Sequence, residues 1–259
     1  MGPRAWHCHD CFHGMQPGTT AGGIVVVIDV LRASTSIVTA LAGGAEGVLA
    51  ASTPDGARRA AEEAGRPAGR CLLGGERGGV RIGGFDLGNS PAEYGAAVVS
   101  GRSIVTTTTN GTAAIAACPR AAAILVGCLV NRTAVARVAA SLAAGAVPPA
   151  PVHLVCAGTD GMPTDEDLLG AGAILDAAGP AAVPLMDAGA LEALGRWHDT
   201  VAGAADTGPA LVAALERSQG GRNLLAIGMG DDIPLAAAVD TSAVVPRRDD
   251  RDGWFRPAR

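Results

Sequence analysis

The fold class is decided by the stretch IVVVIDVLRASTSIVTALA, residues 24–42. Its first part, IVVVIDV (24–30), is rich in β-branched residues and predicts a buried strand. The residues from about Ser34 to Ala42 predict a helix that follows this strand directly. Further strands are predicted at 48–52, 70–73, 103–108, 122–128, 152–158 and 223–228, and most of them precede alanine-rich helical stretches. This alternation predicts an α/β fold with a mainly parallel sheet, helices on both faces and two lobes.

The predicted α/β domain spans residues 24–246, between two segments of different composition. Residues 1–23 are expected to form an N-terminal extension, and the charged tail at 247–259 is expected to fray. A cluster of prolines at 148, 149 and 151 indicates a lobe boundary near residues 146–151, although a single irregular loop explains the same cluster.

All 20 basic residues of the 259-residue chain are arginine, so the chain contains no lysine. This excludes P-loop nucleotide binding, Schiff-base and pyridoxal phosphate chemistry, and protein-kinase catalysis, because each of them needs a lysine. A bound anion must therefore be held by arginine, backbone N–H groups, hydroxyls or a metal ion. The formal net charge of −5 argues against a nucleic acid or an anionic membrane as a partner.

The apolar runs are no longer than a strand, and six cysteines are scattered through the chain. The sequence therefore predicts a reduced cytoplasmic protein with no membrane span. The N-terminal segment WHCHDCFH (6–13) contains three histidines and a Cys8-x-x-Cys11 pair, which is half of a zinc site. Because no second pair follows at metal-ligand spacing, we expect only adventitious metal affinity there.

Polar residues follow the predicted strands at their carboxyl ends. In an open α/β sheet these ends share one rim, and ligands bind at that rim. Helix caps explain the serines, threonines and aspartates of this set, but they do not explain its arginines and its glutamate at position 76. The set includes Asp29, Arg32, Ser34, Glu76, Arg77, Thr108, Thr109, Asn110, Gly111, Glu166 and Asp167.

The stretch VTTTTNGTAAI (105–115) contains Asn110-Gly111, a dipeptide typical of β-hairpins. The alanine-rich residues that follow favour a strand-to-helix turn instead. Two interpretations of the threonines stay open. Either they bind an anion together with the helix N-terminus, or they alternate along a strand and cap the helix.

Two phosphatase signatures fit the chain incompletely. Cys71 and Arg77 have the spacing of C-x5-R phosphatases, but Glu76 adds negative charge beside the arginine and no helix follows to activate the thiol. The segment DVLRA (29–33) lacks the second aspartate of the aspartyl-nucleophile motif, and that class also needs a lysine. The acidic side chains that remain are oxygen ligands of the kind that Mg²⁺ prefers.

Several stretches together resemble the 2-phosphosulfolactate phosphatase family. They occur in the order of the family and cover about residues 24–246, so the resemblance is far more specific than a single glycine motif. The His/Cys-rich N-terminus and the charged tail lie outside the pattern. The matching stretches are VVIDVLRASTSIVTAL (26–41), LLGGERGGVRIGGFDLGNSPAEY (72–94), IVTTTTNGTAAI (104–115), LVNRTAV (129–135), LVCAGTDGMPTDEDLLGAGAI (154–174) and NLLAIGMGDDIPLAAAVDTSAVVP (223–246).

The resemblance implies a Mg²⁺-dependent phosphatase that hydrolyses (R)-2-phospho-3-sulfolactate to 3-sulfolactate and phosphate, a step of coenzyme M biosynthesis. This substrate carries a phosphate, a carboxylate and a sulfonate, so arginines, a helix N-terminus and a metal ion are suitable partners. Nothing in the sequence shows whether the chain forms a homo-oligomer.

On this basis we hypothesise that Asp29, Glu76 and Asp167 hold Mg²⁺, which activates a water molecule. Arg32 and Arg77 would bind the phosphoryl or sulfonate group, so that Asp29, Arg32 and Arg77 are the expected catalytic residues. A covalent aspartyl intermediate on Asp29 stays open as an alternative. The expected substrate-binding residues are Ser34, Asn89, Ser90, Thr108, Thr109, Asn110 and Gly111.

Two other functions compete with this hypothesis. The chain could hydrolyse another small phosphorylated 2-hydroxy acid, because the resemblance identifies the scaffold better than the substrate. It could also be a non-catalytic protein that binds a small anion on the same scaffold.

Overall fold

The computed structural model describes residues 6–64, 69–204 and 206–258. Within these ranges ten strands belong to one sheet, in the spatial order β1-β8-β2-β7-β9-β10-β3-β6-β4-β5. The strands are β1 Trp6–His9, β2 Ile24–Ile28, β3 Gly47–Ala50, β4 Cys71–Arg77, β5 Val80–Arg81, β6 Ser103–Thr107, β7 Ala123–Gly127, β8 Val152–Cys156, β9 Pro246–Arg248 and β10 Phe255–Pro257.

Helices connect most of the strands and cover the sheet. The α-helices of the described residues are α1 Ala33–Ala42, α2 Pro54–Glu63, α3 Ala96–Val99, α4 Gly111–Ala116, α5 Arg132–Gly145, α6 Asp165–Ala178, α7 Ala188–Val201, α8 Thr207–Arg217, α9 Gln219–Ala226 and α10 Asp232–Ala237. Short 3₁₀ turns occur at Phe12–Gly14, Pro91–Tyr94, Leu129–Asn131 and Val183–Leu185. No helix in the described part of the chain is long and apolar enough to cross a membrane.

The strand predicted at residues 223–228 is wrong, because most of this segment belongs to helix α9. The side chain of Ser218 accepts a hydrogen bond from the backbone of Gly221 and caps the helix. Leu224 is buried while the next residue, Leu225, is half exposed. Local capping therefore outweighed the strand preference of a short apolar run.

The sheet consists of two parallel groups that run in opposite directions. Strands β1, β8, β2 and β7 are mutually parallel, and so are β3, β6 and β4. Between the groups, β9 and β10 pair antiparallel with each other and with their neighbours β7 and β3. Three antiparallel steps reverse the direction, so β4 and β6 run opposite to β2.

The predicted α/β class, the mainly parallel sheet and the helices on both faces are confirmed. Val26 and Ile28 of β2 pack into one apolar core with residues of α5 and α6. Val25 and Val27 of the same strand pack into a second core with residues of α1 and α4. The predicted lobe boundary near residues 146–151 falls in the loop between α5 and β8, and it stays a prediction.

The expectation of one shared rim is wrong, since the two groups of strands point in opposite directions. In a flat sheet the carboxyl ends of β2 and β4 would lie at opposite edges. A hydrogen bond shows that these ends nevertheless meet. Arg32, which follows β2, donates a 2.7 Å hydrogen bond to the carbonyl oxygen of Gly79, which follows β4. The sheet must therefore bend, and the functional residues lie where the two groups converge.

Both terminal segments are part of the sheet. Strand β1 pairs in parallel with β8, so residues 6–9 of the predicted N-terminal extension form an edge strand. The tail was predicted to fray, but β9 and β10 lie in the middle of the sheet. The reason is Phe255, which is fully buried in the second core and pairs with Val48 and Arg248. Arg251 and Arg256 of the same tail form ion pairs with Asp249 and Asp252 at the surface. The charged composition of the tail therefore gave no indication of a buried aromatic residue.

We expect Phe255→Ala to lower the free energy of unfolding by about 3–5 kcal/mol, because it empties a buried aromatic site between the two strand groups. Urea denaturation followed by circular dichroism measures this change. Arg251→Ala is the matched control in the same tail, since this side chain is 88% exposed and its loss should change stability by no more than about 0.5 kcal/mol. A loss below about 1 kcal/mol for Phe255→Ala would contradict the central role of the tail.

Candidate functional site

A pocket of about 430 Å³ opens where the carboxyl end of β2 meets those of β4 and β6. Six of the residues that the sequence singled out line it, namely Asp29, Arg32, Glu76, Asn89, Thr109 and Asn110. The remaining lining residues come from the turns after β2 and β4, the loop after β8, and helix α9 with the residue that follows it. They are Leu31, Gly78, Gly79, Thr159, Asp160, Gly220, Asn223, Leu224, Ala226 and Ile227.

Asp29 is the first residue after β2, and its carboxylate is held by the start of helix α1. Its Oδ1 accepts a 3.0 Å hydrogen bond from the backbone of Ala33. Burial raises the pKa of Asp29 to about 6, and the nearby carboxylates of Glu76 and Glu166 add to this rise. A buried carboxyl group among like charges is a suitable ligand for a cation, because a cation offsets both effects.

Ser34 has a structural role in this turn. Its hydroxyl accepts a 2.9 Å hydrogen bond from the backbone of Asp29 and lies 3.3 Å from the carbonyl oxygen of Val27. Ser34 does not line the pocket. Its hydroxyl therefore fixes the turn that presents Asp29, while its predicted contact with a substrate receives no support from this geometry.

Glu76 is the second carboxylate of the pocket, and backbone groups on both sides hold it. Its Oε1 accepts hydrogen bonds from the backbone N–H of Thr109 at 2.7 Å and from the Thr109 hydroxyl at 3.0 Å. Its Oε2 accepts a 2.7 Å hydrogen bond from the backbone of Gly79. Glu76 thereby ties the ends of β4 and β6 together at the edge of the pocket.

The threonine run divides between two roles. The Thr109 hydroxyl bonds the Glu76 carboxylate. The Thr108 hydroxyl accepts a 3.2 Å hydrogen bond from the backbone of Thr112 and so caps α4. In turn, the Thr112 hydroxyl donates to the carbonyl oxygen of Thr108 at 2.8 Å. Thr108 thus follows the capping interpretation. Thr109 and Asn110 line the pocket, and the Asn110 side chain makes no hydrogen bond that caps α4.

Gly111 lies against the carboxylate of Asp29. A Cβ atom built on Gly111 would stand 2.7 Å from Oδ2 of Asp29 and 2.6 Å from the Cβ of Ala33. Contacts this close cannot be accommodated without moving the carboxylate or the helix start. The absence of a side chain at Gly111 therefore makes room for Asp29.

We expect Gly111→Ala to lower the catalytic or binding activity of the pocket by at least about 10-fold, because it displaces Asp29 from its position. Turnover of the substrate proposed below, measured at saturation, tests this. The control is Gly195→Ala in helix α7, where a new Cβ meets no atom within 4 Å. That change should preserve activity and raise stability by about 0.5–1 kcal/mol. Unchanged activity in Gly111→Ala would contradict the assignment of Asp29 to the site.

The two predicted arginines differ in their surroundings. Arg32 is 3% exposed and lines the pocket. Arg77 is exposed, does not line the pocket, and donates to the carbonyl and hydroxyl oxygens of Thr107. Arg32 is thus the better placed of the two to meet a bound anion.

Asp167 is not placed with the other predicted metal ligands. Its two carboxylate oxygens accept hydrogen bonds from the backbone of Val30 at 2.8 Å and of Gly158 at 2.9 Å. Burial raises the pKa of Asp167 well above its usual range, and the Asp29 charge contributes further. In the described residues no three His, Cys, Asp or Glu side chains are placed to hold one metal ion together. The carboxylates that line the pocket from this set are Asp29 and Glu76.

Asn89 lines the pocket, but the neighbouring Ser90 does not. The Ser90 hydroxyl donates a 2.5 Å hydrogen bond to Asp232, the first residue of α10.

Sequence reasoning missed Asp232, because it stands 200 positions from its partner Arg32 and looks like an ordinary helix-start aspartate. It also missed Asn223 of α9, which no spacing or motif distinguishes from a solvent-exposed residue.

The charged groups that line the pocket have a negative balance. Among the described lining residues, Asp29, Glu76 and Asp160 are acidic and Arg32 is basic. The Arg32 charge is already paired with Asp232 at 2.7 Å. A negatively charged small molecule would therefore be repelled unless a cation bound with it. Two carboxylates in a half-open pocket match the usual protein share of a Mg²⁺ site, in which water and phosphate oxygens complete the shell.

The N-terminal histidines form a separate cluster on strands β1 and β8. The rings of His7 and His9 each stack on the ring of His153. Nitrogen atoms of His9 and His153 lie 3.0 Å apart, so one donates a hydrogen bond to the other, and His7 pairs with Asp187. The expected adventitious metal affinity of this segment stays a prediction.

Burial lowers the pKa of His153 to about 4, and the nearby His9 and His7 lower it further, against a weaker opposite effect of Asp187. Between about pH 6.5 and pH 4 the unfolded chain therefore binds more protons at this residue than the folded chain does. We expect this residue to remove about 2 kcal/mol of stability as the pH falls through that range. The difference in urea unfolding between wild type and His153→Gln at pH 7 and pH 4.5 measures it. A pH-independent difference for His153→Gln would contradict the prediction.

Comparison with known proteins gives a consistent result. A family model described as 2-phosphosulpholactate phosphatase matches residues 12–251. A "Probable 2-phosphosulfolactate phosphatase" of Symbiobacterium thermophilum is 40% identical over 230 residues, which cover 87% of this chain and 91% of the relative. Proteins with the same name from Deinococcus radiodurans and Gloeobacter violaceus are 40% and 39% identical, and each alignment covers 86% of this chain. These alignments cover 86% and 87% of the two relatives.

Proposed function

Because the chain belongs to the 2-phosphosulfolactate phosphatase family, we propose that it hydrolyses (R)-2-phospho-3-sulfolactate to 3-sulfolactate and phosphate. It is on this basis a phosphoric monoester hydrolase that performs a coenzyme M biosynthesis type of step. The observation that carries the proposal is the pocket itself, which places Asp29, Glu76, Arg32 and Asn110 around one small polar space.

The charges of the pocket favour a metal-dependent reaction. The substrate carries three acidic groups, and the pocket adds the carboxylates of Asp29, Glu76 and Asp160. We propose that Asp29 and Glu76 hold Mg²⁺, which would supply counter-charge and polarise the phosphoryl oxygens. Asp167 would support this site indirectly, because it accepts a hydrogen bond from the backbone of Val30 and so fixes the residue next to Asp29. Asp29 and Glu76 are thus the two proposed direct ligands, and Asp167, expected from the sequence as the third, has a supporting role.

The other lining residues bind the substrate. Arg32 is buried at the wall of the pocket and donates hydrogen bonds to the phosphoryl or the sulfonate group. Asn89 and Asn110 line the same space, and amide side chains suit the carboxylate and the remaining anionic oxygens. Because these amides are neutral, they suit the substrate whether its phosphoryl or its sulfonate group is bound to Arg32. Arg32 therefore decides which acidic group occupies its end of the pocket.

Two routes for phosphoryl transfer remain, and one experiment separates them. Either water attacks phosphorus directly, or the Asp29 carboxylate attacks and water then hydrolyses the acyl phosphate. A single turnover in ¹⁸O-labelled water, with enzyme in excess over substrate, places the label in phosphate by the first route. By the second route, hydrolysis at the acyl carbon places the label in Asp29. Hydrolysis at phosphorus labels the phosphate as the first route does, and an acid quench that traps the phosphoenzyme before its hydrolysis identifies that case. Mass spectrometry of phosphate and of the peptide that contains Asp29 distinguishes these outcomes.

The decisive test is phosphate release from 2-phosphosulfolactate, 2-phospholactate and a chromogenic phosphate ester, each with and without Mg²⁺. We expect the highest kcat/KM for 2-phosphosulfolactate in the presence of Mg²⁺. A preference for 2-phospholactate would favour a phosphatase of another phosphorylated 2-hydroxy acid. Release from none of the three would favour a non-catalytic anion-binding protein.

The proposal includes a cytoplasmic location. The six cysteines all lie in the described part of the chain and form no disulfide with one another. Five of them are buried, and Cys71, at the start of β4, is half-buried. Reduced thiols suit a reducing compartment. Fractionation of the native host followed by immunodetection tests the location, and recovery in a secreted fraction would contradict it.

A further inference from the structure

Asp232 lies directly behind Arg32 at the wall of the pocket. It is the first residue of α10 and is 3% exposed. One of its carboxylate oxygens accepts a 2.7 Å hydrogen bond from Nη1 of Arg32, and the other accepts the hydroxyl proton of Ser90. The Asp232 side chain does not itself line the pocket. Its carboxylate therefore acts on the pocket through the guanidinium of Arg32.

The guanidinium of Arg32 is fixed at two points. Nη1 is bound to Asp232 and Nη2 donates to the carbonyl oxygen of Gly79 at 2.7 Å. A guanidinium has five N–H donors in one plane, so two anchored amino groups set the direction of the others. The backbone N–H of Gly79 in turn donates to Glu76. The same network thus connects Arg32 with the carboxylate proposed to hold the metal ion.

A role in stability alone explains this arrangement poorly. A buried ion pair stabilises a fold no better than apolar side chains of similar volume, because both ions lose their hydration. The pair of Arg132 and Asp240, by contrast, has both side chains partly exposed, and neither residue lines the pocket. The pair of Arg32 and Asp232 is buried on both sides and has one partner at the pocket wall.

We propose that Asp232 is a positioning residue that holds the Arg32 guanidinium in the orientation that binds an acidic group of the substrate, with Ser90 fixing Asp232 in turn. The inference rests on the proposed function, which it deepens. It also reassigns Ser90, expected from the sequence to bind substrate, to the support of this pair. Because Asp232 neutralises the charge of Arg32, the guanidinium acts as a directed hydrogen-bond donor rather than as a diffuse positive charge.

The first test compares Asp232→Asn with Asp240→Asn. Asp240 is a matched control, since it also accepts hydrogen bonds from an arginine and from a hydroxyl, those of Arg132 and Thr133. Asp232→Asn should raise the KM for substrate and the inhibition constant of inorganic phosphate by about 10- to 100-fold, the range for a hydrogen bond to a charged group, with a smaller change in kcat. Ser90→Ala should shift both constants in the same direction by less, and Asp240→Asn should leave both unchanged.

The second test uses chemical rescue and excludes a loss of folding as the cause. Free guanidinium should restore activity to Arg32→Ala, because Asp232 offers it a buried carboxylate. It should restore at least about 10-fold less activity to the double variant Arg32→Ala/Asp232→Asn. That variant leaves no unpaired buried charge, and circular dichroism checks that it is folded. Equal rescue in the two backgrounds would overturn the proposal, as would an unchanged KM in a folded Asp232→Asn.

Failure of the proposed function gives a different result. If the wild-type protein released no phosphate from any substrate, the enzymatic assignment would be overturned. Calorimetric binding of inorganic phosphate with Mg²⁺ would then test the positioning role directly. Weaker binding to Asp232→Asn than to wild type would support the role of Asp232, and equal binding would overturn it.

Discussion

Asp29→Asn is expected to lower kcat for 2-phosphosulfolactate by about 1,000-fold, the largest effect of any single substitution in this chain. The carboxylate is held by the backbone of Ala33 and lies at the pocket wall. Asparagine keeps the shape and one acceptor oxygen but removes the negative charge that binds a cation. The same loss follows if Asp29 is the nucleophile, because an amide cannot form an acyl phosphate.

Stopped and continuous assays of phosphate release measure this effect, with far-UV circular dichroism as the check on folding. Cys71→Ser is the control, because Cys71 begins β4 at the opposite end from Glu76 and does not line the pocket. It should retain wild-type activity. Activity that survives Asp29→Asn but is lost in Cys71→Ser would contradict the site and favour a cysteine phosphatase.

Removal of divalent cations is expected to abolish phosphate release, and added Mg²⁺ to restore it, with a ratio of about 1,000 or more between the two states. The reason is the negative balance of the pocket, in which Asp29, Glu76 and Asp160 face a substrate with three acidic groups. Dialysis against EDTA followed by titration with MgCl₂ measures the effect. Recovery of activity in MgCl₂ in molar excess over EDTA, with the chelator still present, shows that the loss comes from the metal and not from EDTA itself.

Thermal unfolding supplies a second measurement that needs no substrate. A cation that binds only the folded state raises Tm, and the rise grows with the logarithm of the cation concentration above its Kd. Mg²⁺ should therefore raise the Tm of the wild-type protein and raise that of Asp29→Asn much less. The variant lacks the negative charge of the buried Asp29 carboxylate, which lies near Glu76 and Glu166 and which the cation would offset. Full activity after exhaustive chelation would contradict the metal proposal, whatever the result for Asp29→Asn.

Local patterns predicted the individual elements well. The strand expected at 24–30 is β2 Ile24–Ile28, and the helix expected from Ser34 to Ala42 is α1 Ala33–Ala42. Both follow from residues that are neighbours in the chain, since β-branched runs and helix periodicity act over a few positions. The same reasoning failed at 223–228, where a serine cap and one-sided burial produced helix α9.

The site was predicted in part, for the same reason. Asp29, Arg32, Glu76, Thr109 and Asn110 were selected because they follow strands, and Asn89 was selected after the family resemblance. All six line one pocket. Thr108 and Ser34 were also selected, but their hydroxyls hold the backbone of the two turns. Residue type at a strand end indicates a polar turn, whereas the direction of each side chain depends on which neighbour offers the better hydrogen bond.

By itself the sequence determined the α/β class, the positions of most strands and helices, the exclusion of lysine chemistry and the family resemblance. Only the tertiary structure decided that the two strand groups run in opposite directions, because the reversal comes from the C-terminal strands that insert between them. It alone decided that Asp232 holds Arg32 and that Asp167 supports the backbone of Val30. Local propensity acts over a turn of helix or a few strand residues, while these contacts join positions more than 130 residues apart, where only the packing of the whole chain determines which groups meet.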